Sequence, residues 1–246
     1  MTPSSSPTIL FTGLRAPRLE REQLRGVALH HHPTIRISYF APTQFQNAGK
    51  LLSQSPCVVF LSRNGVIGLS EWANSEDATL DLDQTIIWAV GAATAQQVEM
   101  TLGHLAAQPQ VQNALGLTQT FGTLAKRPVV LFTAEEPRPE FPAWLLQNGW
   151  EFEQFPVYRT EILENSDLRQ RFQNNENESV VFTSPSTVKG FLLSIGHPDL
   201  TGLTSRWISI GPSTTNEIES AGGVVHWEAD EPDVQQLLLN LIKEIS

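Results

Sequence analysis

Small hydroxyl-bearing residues follow short apolar runs at four places: Ser62 after Val58-Val59-Phe60, Thr94 after Trp88-Ala89-Val90, Ser184 after Val180-Val181-Phe182, and Ser213-Thr214 after Trp207 to Ile210. Where a strand gives way to a helix, small residues let a ligand approach the backbone and hydroxyls donate hydrogen bonds. The free N–H groups of the first helical turn point at negative charge. The chemistry open to such turns is anion binding. The competing use is N-capping alone, because Ser, Thr and Asp begin most helices.

The arrangement occurs twice. VVFLSRNGV followed by WAVGAAT, over residues 58–94, lies over VVFTSPSTV followed by WISIGPST, over 180–214. Phe60-Leu61-Ser62 matches Phe182-Thr183-Ser184, and Gly91-Ala92-Ala93-Thr94 matches Gly211-Pro212-Ser213-Thr214. A period this long signals two similar domains, since solenoid repeats are far shorter.

Around these turns short apolar strands alternate with helical spacings, which implies an α/β protein with parallel sheets flanked by helices. Ile9 to Thr12 reads as a first strand, and Pro17 to Ala28 as a helix carrying Leu19, Leu24 and Val27. His30-His31-His32 then forms a solvated helix end. Three consecutive histidines cannot all face one metal, and no partner has ligand spacing, so no metal site is expected. In the middle of the chain the expected order is strand 58–62, helix from Asn64, strand 86–90, helix 93–105, strand 128–132 and helix 139–148. Asp77 to Asp83 reads as a solvated acidic loop and residues 1–7 as a frayed tail. Glu164 to Glu178 holds a short helix and a loop. Val224 to Trp227 is a strand, and Val234, Leu237, Leu238, Leu241, Ile242 and Ile245 make the apolar stripe of a last helix.

Thr34 to Phe40 and Phe155 to Ile162 both alternate apolar and polar residues, as half-exposed strands do. They read as the outgoing and returning connections of an inserted domain, and are expected to pair. The first domain is then discontinuous, 1–35 with 163–246, the insert is 41–154, and 36–40 and 155–162 are linker strands. Ligands of such sheets sit outside the carboxyl ends of the strands. Ser62, Thr94, Ser184, Ser213 and Thr214 would therefore face a common cleft if the domains open toward each other.

The 246 residues carry a net charge of −10 with no basic block, which argues against nucleic acid. An anionic ligand must then be held by local dipoles and a few placed cations. The single cysteine, Cys57, beside an apolar run, reads as a buried small hydrophobe in a reducing cytosol. No apolar run approaches membrane-spanning length, and a cytoplasmic monomer is expected.

FTSPSTV, a following strand ending in IGPSTT, the degenerate copy FLSRNGV with VGAAT, and the returning segment VYRTE resemble, in order and spacing, the uroporphyrinogen-III synthase family over nearly the full length. The resemblance implies two flavodoxin-like domains joined by a two-stranded linker. The implied reaction belongs to tetrapyrrole biosynthesis: closure of the linear tetrapyrrole hydroxymethylbilane with loss of water and inversion of its last pyrrole, using neither metal nor organic cofactor. By position, Tyr158 matches the tyrosine that assists departure of the bilane hydroxyl; a tyrosine packed at the domain junction is the structural alternative. Ser213 and Thr214 match the family's hydroxyl pair after the glycine, Ser62, Thr94 and Ser184 match further cleft positions, and all five are assigned carboxylate binding, not proton transfer. The chain departs from the family pattern at Gly13, where arginine usually follows Thr12, at Leu61 for threonine and at Arg63 for proline, while Arg138 falls where a later basic residue is expected.

The alternative function is a non-catalytic two-domain binder of a polycarboxylate or small anion. A dinucleotide oxidoreductase lacks its G-x-G-x-x-G after a strand, and a phosphoryl-transfer enzyme its Walker lysine turn.

Overall fold

The computed structural model describes residues 6–40, 52, 56–75, 82–174 and 178–246. Most of the N-terminal tail and of the acidic loop expected at Asp77 to Asp83 lies outside them. Strands β1 (Thr8–Phe11), β2 (Ala28–His31) and β3 (Ile35–Tyr39) open the chain. β4 (Cys57–Phe60) leads into helix α1 (Arg63–Ser75), β5 (Ile86–Ala89) into α2 (Ala92–Leu102) and α3 (Ala114–Phe121), and β6 (Val129–Ala134) into α4 (Glu140–Gln147). β7 (Phe152–Ile162) is followed by α5 (Ser166–Asn174), β8 (Ser179–Phe182), α6 (Pro185–Ile195), β9 (Arg206–Ser209), α7 (Pro212–Ser220), β10 (Val225–Glu228) and α8 (Val234–Ile245).

By its internal contacts the chain divides into two compact units, Met1–Arg36 with Thr160–Ser246, and Ile37–Arg159. In the first, the sheet runs β2-β1-β8-β9-β10 with every pair parallel. This is the flavodoxin-like order, whose ligand crevice lies at the carboxyl ends of the strands. Alternate side chains of each strand enter opposite layers. Ile9, Phe11, Val181 and Ile208 meet the α8 stripe of Leu237, Leu238, Leu241 and Ile242, while Leu10, Val180, Phe182 and Trp207 meet Phe172, Val188, Phe191 and Ile218. Strands covered on both faces must be apolar throughout, hence the unbroken Val180-Val181-Phe182.

The second unit has the order β5-β4-β6-β7-β3, parallel from β5 through β7. Val58, Phe60, Val130 and Phe132 pack under α1 and α2 through Val66, Leu69 and Val98. Cys57, Val59, Val129 and Leu131 face Leu117, Phe121, Phe141 and Leu145 on the other side. β3 is the sheet neighbour of β7, so the two alternating segments pair as expected. Cys57 is buried, and burial pushes its thiol above the usual range despite the nearby charge of Arg127.

Three sequence expectations fail. Pro17 to Ala28 is not a helix: it holds one 3₁₀ turn at Arg21–Leu24, ended by Arg25 and Gly26 at positive φ. His30 and His31 lie in β2, paired with Leu10 and Phe11, and the amide of His32 donates to the Phe11 carbonyl at 2.9 Å. The histidines thus continue a sheet edge. The helix expected over 93–105 stops at Leu102, where Gly103 adopts φ 72, and Leu105 is exposed. Finally, α3 was not anticipated. Asn113 caps it by accepting the Gly116 amide, and Leu117 and Phe121 supply its buried face.

Candidate functional site

In the second unit the turn after β4 places Ser62 directly before α1. Its Oγ accepts the Gly65 N–H at 3.2 Å, the ordinary work of an N-cap. α1 lies close to the sheet because Gly65 and Gly68 carry no side chain: a Cβ on Gly65 would stand 2.4 Å from the Phe132 carbonyl oxygen. Tyr158 reaches the same place from β7. The β6–β7 register shifts between Thr133 and Ala134, so that Ala134 pairs with Tyr158, whose carbonyl accepts the Glu135 amide at 2.8 Å.

The Tyr158 phenol oxygen lies 2.9 Å from Ser62 Oγ. Burial raises the Tyr158 pKa above 10, against smaller downward pulls from the Ser62 hydrogen bond and the positive charge of Arg138. The phenol is therefore a neutral hydrogen-bond donor throughout the physiological range. Arg138 and Leu61 also line a cavity of about 610 Å³ with Val90, Phe141 and Trp144. Its wall is mostly apolar, with the charges of Arg138 and Glu140 and the polar side chains of Asn113, Thr118 and Gln147 among the lining.

Thr94 sits in the first turn of α2, beyond the neighbouring strand β5, with its amide on the Gly91 carbonyl at 3.0 Å. It is buried, and the Ala92 N–H is already taken by the Gln112 side chain at 2.9 Å. Gln112 thus takes one backbone donor of this helix start.

In the first unit Ser184 and Thr187 make a reciprocal cap at the start of α6. Ser184 Oγ accepts the Thr187 amide at 3.3 Å, and Thr187 Oγ1 accepts the Thr183 and Ser184 amides at 3.2 Å each while donating to the Ser184 carbonyl. Two backbone donors of that turn, the Thr183 and Ser184 amides, are thus satisfied by Thr187, a residue the sequence reading did not single out, although its Ser-x-x-Thr spacing is that of a capping box. Beyond the adjacent β9, Ser213 is exposed in the first turn of α7. Thr214 is fully buried, and its hydroxyl has no hydrogen-bond partner. Thr215, next to it, bonds the Glu228 carboxylate.

Of the sequence-selected residues, Ser62 and Tyr158 are in direct contact, Thr94 is on the adjoining turn of the same unit, and Ser184, Ser213 and Thr214 occupy neighbouring turns of the other. Arg138, known from sequence only as a basic residue, joins the group because its charge reaches Tyr158. Among the described residues no cluster of three or more His, Cys, Asp or Glu could hold a metal ion, and no helix is long and apolar enough to cross a membrane.

Residues 18–238 match the sequence profile of the family described as uroporphyrinogen-III synthase HemD. The chain belongs to the uroporphyrinogen-III synthase family. A uroporphyrinogen-III synthase of Chlorobaculum parvum is 24% identical over 84% of this chain and 85% of its own length. A porphyrin biosynthesis protein HemD of Ruminiclostridium josui is 28% identical over 64% of this chain, which spans only 32% of that longer relative. Among solved structures, the uroporphyrinogen-III synthetase of Helicobacter pylori superposes with a TM-score of 0.71 at 18% identity, covering 97% of this chain and 99% of that one. A mutant uroporphyrinogen III synthase of Thermus thermophilus gives 0.63 at 15% identity, with 97% and 98% covered. At such identities the structures speak for the fold alone.

The departures from the family pattern now have surroundings. Gly13 leaves room for the Phe11 ring, which a Cβ would approach to 2.6 Å, and its carbonyl lies 2.7 Å from His31 Nε2. Leu61 forms part of the cavity wall, and Arg63 is the exposed first residue of α1.

Proposed function

We propose that the chain closes hydroxymethylbilane to uroporphyrinogen III, as a lyase that expels water while the last pyrrole is inverted. The observation that carries this reading is the family match over residues 18–238.

The chemistry at Tyr158 supports it. The pyrrole bearing the hydroxymethyl group is electron-rich, and its ring electrons expel the hydroxyl once that oxygen receives a hydrogen bond or proton. A phenol kept neutral by burial supplies such a donor without adding negative charge beside a substrate that bears eight carboxylates. The substrate's own π electrons drive the step, so the reading assigns no cofactor. Ser184, Ser213, Thr214 and Thr94 are assigned to carboxylate binding, with Arg138 as a further cation, and much of the catalysis is positioning.

The test is isomer analysis. Purified protein given hydroxymethylbilane should divert it from the spontaneous type I ring to type III. A product mixture equal to the uncatalysed one overturns the proposal and favours a non-catalytic polycarboxylate binder.

A further inference from the structure

The geometry points to Ser62 as a positioning residue that orients the Tyr158 phenol toward substrate, instead of a ligand for a substrate carboxylate. This inference rests on the reading that Tyr158 assists departure of the hydroxyl.

The direction of the hydrogen bonds carries it. Among the described residues Ser62 Oγ has two partners, the Gly65 amide and the Tyr158 phenol oxygen. The amide can only donate, so the Ser62 oxygen accepts there. The remaining bond could run either way, but a phenol and a serine each hold one hydrogen. If Tyr158 donated, the Ser62 hydrogen would be left without an acceptor and Tyr158 would have no hydrogen to offer. If Ser62 donates, the one hydrogen left over is the phenolic one, free for substrate, and this is the direction that a Tyr158 assisting departure of the hydroxyl requires. The chain then reads Gly65 N–H to Ser62 O–H to Tyr158 O–H, each link polarising the next. A serine committed at both ends has little left for a carboxylate.

The register of β7 supports the same conclusion. The irregularity between Thr133 and Ala134 sets Tyr158 opposite Ala134, and the phenol meets the start of α1 at 2.9 Å. The bond joins residues 96 positions apart in the chain.

The experiment uses the full chain with hydroxymethylbilane. Ser62→Gly removes the hydroxyl while costing the helix start only a few tenths of a kcal/mol relative to serine. It should lower kcat for type III formation about tenfold, the worth of one hydrogen bond to a reacting group, with KM changed by less than about twofold. Ser62→Thr should retain activity. In a Tyr158→Phe background, Ser62→Gly should cause no further loss.

A spectroscopic readout separates orientation from loosening. The chain has two tyrosines, so Tyr39→Phe leaves Tyr158 as the only one to titrate by ultraviolet absorbance. Losing the Ser62 bond should move that titration to higher pH, because this bond favours the phenolate. A merely loosened site would hydrate the phenol and move it down. A raised KM at constant kcat, losses that multiply in the double variant, unchanged kinetics, or a downward titration shift would each overturn the inference. If the parent chain forms only the spontaneous isomer, the synthase reading fails instead, and the titration still judges the Ser62–Tyr158 bond.

Discussion

Arg171 donates to Glu178 across 2.7 Å, yet the second carboxylate oxygen of Glu178 has no partner although the residue is only 3% exposed. Burying a half-satisfied ion pair makes its members interdependent: removing one strands the other's charge. Arg171→Met should destabilise its unit by about 3 kcal/mol. Arg171→Met with Glu178→Leu should recover most of that loss, as urea unfolding would show.

The same pair contributes to the pH dependence of stability. Burial raises the Glu178 carboxyl above 4.5, only partly countered by Arg171, so its contribution is present at low pH and is lost as pH climbs through the raised value. His30 and His32 have the opposite sign. Burial first, then the charge of Arg171, lowers both below 6.5, so their contribution is full above that value and is lost on acidification. Glu178→Gln should therefore steepen the rise of stability with pH between 4.5 and 6.5, and a His30→Gln, His32→Gln variant should reverse it. Chemical denaturation across that range measures both slopes.

Thr214 should separate stability from activity. Its buried hydroxyl lacks a partner, so Thr214→Val removes a polar group that costs folding energy and should stabilise by about 1 kcal/mol. If the hydroxyl turns to a substrate carboxylate, the same change raises KM by about tenfold. Thermal unfolding and steady-state kinetics on one preparation test both halves.

Tyr158→Phe should leave folding intact and lower kcat by about 100-fold. Because burial raises the phenol's pKa, the Tyr158 contribution to the pH–rate profile should be level through neutrality and fall only above 10, where the proton is lost. A Tyr158→Phe enzyme with normal turnover would return this side chain to a packing role.

Gly65→Ala should cost about 2 kcal/mol, because a Cβ 2.4 Å from the Phe132 carbonyl forces α1 off the sheet. The displacement also takes the Gly65 amide from Ser62. Activity should thus fall further than unfolding free energy suggests, which kinetics below the unfolding transition would reveal.

Much of this architecture was legible in the sequence because two patterns admit few readings. Val58-Val59-Phe60 and Val180-Val181-Phe182 are apolar throughout, as strands covered on both faces must be, and the α8 stripe repeats at helical spacing over nearly three turns. Residues 17–32 misled because Leu19, Leu24 and Val27 fit a helical spacing as well as a turn followed by a strand. Pairing of β2 with β1 settled the matter through hydrogen bonds between distant segments that no local preference encodes. For the site, the sequence by itself determined which turns carry hydroxyls. Tertiary structure alone decided how each is used: Ser184 accepts the Thr187 amide, Thr214 is buried without a partner, and Ser62 is joined to Tyr158. The physical reason is that a hydroxyl's role follows from which donors and acceptors surround it, and those arrive from strands and helices far away along the chain.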